Sequence, residues 1–221
     1  MNDARRWIIG VTGASGTIYG RRLVEVLLER VPEVSIELII SEPALRVMRE
    51  EETFRVPFQP GKLAEALGFE SERVKIHNNR DIGARIASGS YPTAGMVVIP
   101  CSMSSLAAIA SGHSQNLIHR AADVVLKERR TLILVPRETP LSEIHLENML
   151  KLAKLGVRIV PAMPGFYHQP KVIIDLVDMM VMRVLDQMGL EVSLAARWGH
   201  DRADCTQPQQ AVVGMVNNRR D

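Results

Sequence analysis

Aromatic side chains are scarce in this chain: Phe, Trp and Tyr together make up 4% of its 221 residues. So small a supply argues against the stacking platforms that hold single-stranded nucleic acid. Charge of one sign is lacking too. The formal net charge is +2 and no dense Lys/Arg run occurs, which is too little for a nucleic-acid surface. Only two cysteines are present, Cys101 and Cys205, in unrelated contexts. They give no disulfide framework, and a reducing cytoplasmic compartment is expected. No apolar run is long enough to span a bilayer, and MNDARRWIIGVTGASG enters a strand and a glycine loop without a signal-like segment, so no membrane is expected. The six histidines lack metal-ligand spacing. His113 and His119 do not match a zinc pair and no cysteine lies near them, so no metal is expected.

What is present is ordinary globular composition, 46% hydrophobic and 24% charged, enough for one domain or one domain with a tail. Short apolar runs alternate with helical patterns. Trp7–Thr12, Val34–Ile40, Met96–Pro100, Thr131–Val135 and Val157–Val160 read as strands, with Val74–His77 a shorter candidate. Helices are expected from Thr17 to about Glu29, over Pro43–Glu52, after Cys101, before Lys127, over Ser142–Leu155 with a capping-box-like start, and over Lys171–Met188. Phe54–Gly68, broken by Pro57, Pro60 and Gly61, reads as irregular cover for a sheet edge. The alternation predicts an α/β fold with a mostly parallel sheet. Residues 200–221 are polar and without clear period, as a mobile tail would be.

The richest stretch is RAADVVLKERRTLILVPRETP, Arg120–Pro140. Arg120 and Lys127 recur on one helical face, and a buried strand then delivers Arg137 and Glu138 to its carboxyl end, where open α/β sheets place ligands. Singly, each charge reads as a solvated cap. Together they suggest an anion site with a carboxylate beside it. After the first strand, Gly13-Ala14-Ser15-Gly16 opens a helix, an arrangement that cradles a phosphate or simply makes a turn. The glycines at 10, 13 and 16 are not the dinucleotide pattern, and Ser41 stands where such a site wants an acid. Cys101-Ser102-Met103-Ser104-Ser105 is a second strand-to-helix turn; one hydroxyl is needed as a cap and three suggest polar recognition. Cys101 has no base locatable beside it, so a small buried residue is favoured over a nucleophile. Glu50-Glu51-Glu52 reads as a solvated face, and spacing singles out none of them.

The motifs GVTGASG, SGSYP, PCSMSSLAAIASG, NLIHRAADVVLKERRTLILVPRETPLSEIHLENML, PGFYHQP and RWG resemble those of the UbiX-type flavin prenyltransferases over Trp7–Gly199. An Asn-Met-Trp signature of the related cysteine decarboxylases is absent. The resemblance implies a single-domain Rossmann/flavodoxin-like three-layer sandwich over residues 1–199. It implies an enzyme that joins reduced FMN to dimethylallyl phosphate through flavin N5 and C6, without metal. The product, prenylated FMN, would serve a UbiD-type decarboxylase. By resemblance the flavin is held by Gly13, Ala14, Ser15, Ser41, Ser102, Met103, Ser104, Ser105 and Arg137. The donor phosphate would be held by Arg120, Lys127, Tyr167 and Arg183, partly across subunits of a homo-oligomer, commonly a dodecamer. Glu51 and Glu138 would move protons, Ser15 would share in the chemistry, and Trp198 would wall the prenyl group. Ser104-Ser105 departs from the commoner Lys-Thr or Gly-Thr. Two rivals stay open: an FMN-dependent aromatic acid decarboxylase and a non-enzymatic flavin carrier.

Overall fold

A computed structural model of the protein describes residues 5–51 and 60–198. Strands β1 (Arg6–Val11), β2 (Ser35–Ile40), β3 (Val74–Asn78), β4 (Gly95–Cys101), β5 (Thr131–Pro136) and β6 (Arg158–Ile159) form one sheet in the order 3-2-1-4-5-6. Every pairing among the described residues is parallel. The helices are α1 (Thr17–Arg30), α2 (Glu42–Glu51), α3 (Pro60–Leu67), α4 (Met103–Ser111), α5 (Leu117–Lys127), α6 (Glu143–Lys154) and α7 (Ile173–Met188).

Strand alternation sorts the core into two layers. Ile9, Val11, Leu38, Ile40, Ile99 and Val135 meet α1, α2, α3 and α7 on one face. Ile8, Ile39, Met96, Val98, Leu132 and Leu134 meet α4, α5 and α6 on the other. Two buried faces explain why these strands read as continuous apolar runs. The chain winds outward from β1 to β3 and returns to β4 beside β1, so the order reverses between β1 and β4. At such a reversal the following loops part and leave a crevice at the strands' carboxyl ends.

Two expectations are corrected. The segment beginning at Pro60 is helix α3, not irregular cover; a proline in the first turn gives up an N–H the helix does not use. The sixth strand shrinks to Arg158–Ile159, because only Ile133 and Leu134 pair with it. Residues 52–59 and the tail from 199 lie outside the described residues, and with them Cys205 and the expected tail.

Arg73, in the turn before β3, fixes the far end of α1. Its guanidinium donates to the carbonyls of Leu28 at 2.5 Å and Val31 at 3.1 Å, meeting acceptors that a helix end leaves open. The amino end of α1 is thereby held at the crevice.

Candidate active site

Thr12 stitches the crevice together. Only 2% exposed, it donates from Oγ1 to the Pro100 carbonyl at 2.8 Å and accepts the Ser102 N–H at 2.7 Å. Its own N–H also donates to Pro100, at 3.2 Å. One hydroxyl therefore fixes the loop after β1 against the loop after β4.

The first loop turns on Gly16, whose φ of +97° is comfortable only without a side chain. Gly16 offers no capping group to α1. Glu51, at the end of α2, supplies one. Its carboxylate accepts from Gly16 N at 2.9 Å, Thr17 N at 3.0 Å and Thr17 Oγ1 at 2.9 Å. Ser15's side chain donates to it as well. Burial pushes this carboxyl's pKa up, but the bonds from Ser15, Gly16 and Thr17 outweigh it and leave the group below its ordinary value. In this chain the anion at the head of α1 is thus its own carboxylate. Glu51 and Ser15 are brought together, though spacing alone gave no reason to select Glu51. Gly13 packs against Pro43, where an added Cβ would stand 2.5 Å from the proline's Cβ. Ser41 is buried and caps α2, accepting from Ala44 N at 3.2 Å, which leaves its O–H proton available.

The second loop is similar in design. Ser102 caps α4 by accepting from Ser105 N at 3.3 Å, and its hydroxyl meets Ser105 Oγ at 3.2 Å. Ser105 and Met103 are buried, whereas Ser104 is exposed. Behind them His119 is buried with Nε2 3.4 Å from Ser105 Oγ, and its Nδ1 has no partner. Burial first, and the nearby His113 second, lower its pKa and favour neutral imidazole. Cys101 is fully buried and its thiol is pushed up to about 12, as suits a small packing residue rather than a nucleophile.

From the next strand come Arg137 and Glu138. Arg137 donates its backbone N–H to the Cys101 carbonyl at 3.4 Å, which ties β5's end to β4's. Its side-chain Nε is buried with no partner. An orphaned buried donor costs on the order of 1–3 kcal/mol unless a ligand accepts from it. Such a donor beside the Ser102 loop suits a ligand rich in carbonyl or phosphate oxygens. Glu138 is half-buried, with one oxygen accepting from Thr139 N at 3.0 Å.

The four expected phosphate ligands fall into two sets on opposite faces of the sheet. On α5, Arg120 pairs with Asp123 at 2.9 Å and Lys127 with Glu128 at 2.7 Å. The Ser88-Gly89-Ser90 loop lies against Lys127, close enough that a Cβ on Gly89 would stand 2.8 Å from Nζ. Arg130 anchors this loop by donating to the carbonyls of Gly89 at 2.6 Å and Tyr91 at 2.9 Å. On the other face, Arg183 of α7 donates to Asp186 at 2.8 Å, and Tyr167 meets Trp198 edge to face at 5.7 Å. The sequence reading passed over Thr12, Arg130 and Asp186. Only Asp186 carried a local signal, three residues from Arg183 on one helix. Among the described residues no group of three or more His, Cys, Asp or Glu could hold a metal ion, and no helix is long and apolar enough to cross a membrane.

Residues 1–185 match the Flavoprotein family. Over 196 residues the chain is 48% identical to a protein of Halalkalibacterium halodurans described as flavin prenyltransferase UbiX, covering 89% of this chain and 94% of that one. This chain belongs to the UbiX family of flavin prenyltransferases. Solved UbiX structures are similar throughout. A dodecameric FMN-dependent UbiX-like decarboxylase from Escherichia coli O157:H7 superposes with a TM-score of 0.78 at 47% identity, covering 88% of this chain and 100% of that one. AnUbiX (PadA1), in complex with FMN and dimethylallyl pyrophosphate, gives a TM-score of 0.80 at 39% identity, covering 90% and 99%. The doubly wound frame is therefore one that this chain shares with solved UbiX structures.

Proposed function

We propose that this UbiX protein is a cytoplasmic flavin prenyltransferase, joining reduced FMN to dimethylallyl phosphate and passing prenylated FMN to a UbiD-type decarboxylase. Residues 1–199 form the flavin-binding domain and 200–221 a polar tail. The observation that carries this reading is the Tyr167–Trp198 aromatic pair, set beside a cluster of arginines on α7 and the segment after it. A flavin carrier needs only the glycine and serine loops. A prenyl transfer needs cations for a leaving phosphate and an aromatic wall for the positive charge developing on the prenyl group.

Reduced flavin supplies the nucleophilic N5 and C6. Gly13, Ala14, Ser15, Ser41, Ser102, Met103, Ser104, Ser105 and Arg137 hold and orient it, Arg137 through the donor left open in the protein. Arg120, Lys127, Tyr167 and Arg183 hold the donor phosphate and stabilise its charge as it leaves. Because α5 and α7 pack on opposite faces of the sheet, one subunit's Arg120 and Lys127 would be completed by a neighbour's Tyr167 and Arg183. A dodecamer like that of the Escherichia coli relative would make assembly a condition of activity. Glu138 takes the proton lost from C6 on ring closure, and Glu51 holds the Ser15 loop in place. Trp198 keeps water from the prenyl group.

The test is to incubate the purified protein with FMN, a reductant and dimethylallyl phosphate, and to weigh the flavin. A flavin heavier by one five-carbon unit supports the reading. Unaltered flavin together with carbon dioxide released from an added aromatic acid would favour the decarboxylase.

A further inference from the structure

Asp186 occupies an unusual position on α7. Its carboxylate is shared between two guanidiniums, accepting from Arg183 Nη1 at 2.8 Å and from Arg197 Nη1 and Nη2 at 3.0 and 2.7 Å. The two-pronged contact with Arg197 is directional as well as electrostatic. Arg183 lies on the same helix three residues earlier, whereas Arg197 lies in the non-helical segment that follows and immediately precedes Trp198. Trp198 is 81% exposed and meets Tyr167 edge to face at 5.7 Å. One carboxylate therefore joins a helix, a trailing segment and an aromatic pair.

We propose that Asp186 is a positioning residue for the prenyl donor: it sets Arg183 and Arg197 side by side as a two-arginine anion site and, through Arg197, holds Trp198 against Tyr167. This rests on the donor-phosphate reading above and adds Arg197 to it as a phosphate ligand. Two guanidiniums carry ten N–H donors between them, and the contacts with Asp186 use only three. Glu191 also acts on Arg197, so the two guanidiniums face two carboxylates, and an incoming phosphate is drawn by the N–H donors left open rather than by a net positive charge. Without the carboxylate, the two like charges have no reason to share a site, and the segment bearing Trp198 loses its tie to α7.

A different consequence would follow if Asp186 merely neutralised Arg183. Removing it would then release a cation and improve donor binding. Positioning predicts the reverse, so the direction of the change decides between them.

The experiment uses the full-length protein with reduced FMN and dimethylallyl phosphate. Asp186→Asn, nearly identical in shape, should raise the donor KM about tenfold or more, change kcat less, and leave FMN affinity within about twofold. Arg197→Gln, which leaves α7 untouched, should do the same, and Arg197→Lys should rescue it only in part because an ammonium lacks the planar fork. With 5-fluorotryptophan incorporated, the 19F resonance of Trp198, assigned through Trp198→Phe, should shift in Asp186→Asn as its edge contact with Tyr167 is lost, while that of buried Trp7 stays fixed. An unchanged or lowered donor KM in both Asp186→Asn and Arg197→Gln, or an unmoved Trp198 resonance, overturns the proposal. Arg183→Ala separates this from the underlying reading. If Arg183→Ala leaves donor use intact, the donor-phosphate assignment itself fails. If it cripples donor use while the Asp186 and Arg197 variants do not, only the positioning role fails.

Discussion

Glu51 Oε2 stands 2.9 Å from Thr17 Oγ1, across 34 residues of chain, and closes the head of α1 with a carboxylate. That contact does what a side chain at Gly16 would do in an ordinary helix, and it draws Ser15 into the same network. The Ser15–Gly16 turn is therefore held by the end of α2.

Glu51→Gln should lower stability by about 1 kcal/mol, the scale of a lost helix cap. The pH dependence gives the sharper test. The folded pKa lies below the ordinary 4.5, so the stabilisation is complete above about pH 4.5 and disappears as pH falls through the folded value. Thermal unfolding of both proteins from pH 7 to pH 3.5 should show the difference shrinking on acidification. A constant difference would mean that the charge on Glu51 does not matter.

Thr12→Val tests the stitch between the two loops. It strands the Ser102 N–H in a buried place and leaves the Pro100 carbonyl with only the Thr12 backbone N–H, at a cost of about 1–3 kcal/mol. Thr12→Ser keeps both bonds and should recover most of the loss. Chemical denaturation with FMN titration alongside reads both effects. If valine is tolerated as well as serine, the hydroxyl is not what joins the loops.

The parts legible in the sequence were those with a local cause. The apolar runs of β1, β4 and β5 follow from burial on both faces. The start of α6 was readable because Ser142 Oγ accepts from His145 N while His145 Nδ1 accepts from Ser142 N, a reciprocal cap three residues apart. Helix α3 was hidden because Pro60 and Gly61 are breakers by local rules, yet Leu63 and Leu67 are buried in the core. Glu51, Thr12 and Asp186 act through contacts between separate elements. Composition and spacing do not reveal such contacts; the family resemblance named Glu51, but not its contact with the head of α1.

Arg137 should be the residue on which flavin affinity depends most. Its buried Nε has no protein partner, so a ligand oxygen would relieve an existing penalty as well as gain a charge-assisted bond. Arg137→Ala should weaken FMN binding by about 2 kcal/mol, or roughly thirtyfold. Lys should restore little of this, since it cannot reproduce the guanidinium geometry. Fluorescence titration of FMN against the three proteins is the measurement; equal affinities would place the flavin elsewhere.

Glu138 separates holding the flavin from acting on it. It follows Arg137 directly at the end of β5, is half-buried, and uses one oxygen on the Thr139 N–H, which leaves the other free to take a proton. The backbone contact also survives in Glu138→Gln, because an amide oxygen can accept from Thr139 N, so the loop should keep its shape. FMN affinity should then stay within about twofold of the parent. Product formation should slow by roughly a hundredfold or more, the scale on which a positioned proton acceptor contributes. Single-turnover mixing of enzyme-bound reduced FMN with dimethylallyl phosphate, quenched and weighed at intervals, follows the flavin mass directly. Parent-like rates in Glu138→Gln would remove this carboxylate from the chemistry. Equal losses of flavin affinity and rate would show instead that Glu138 serves to hold the site together.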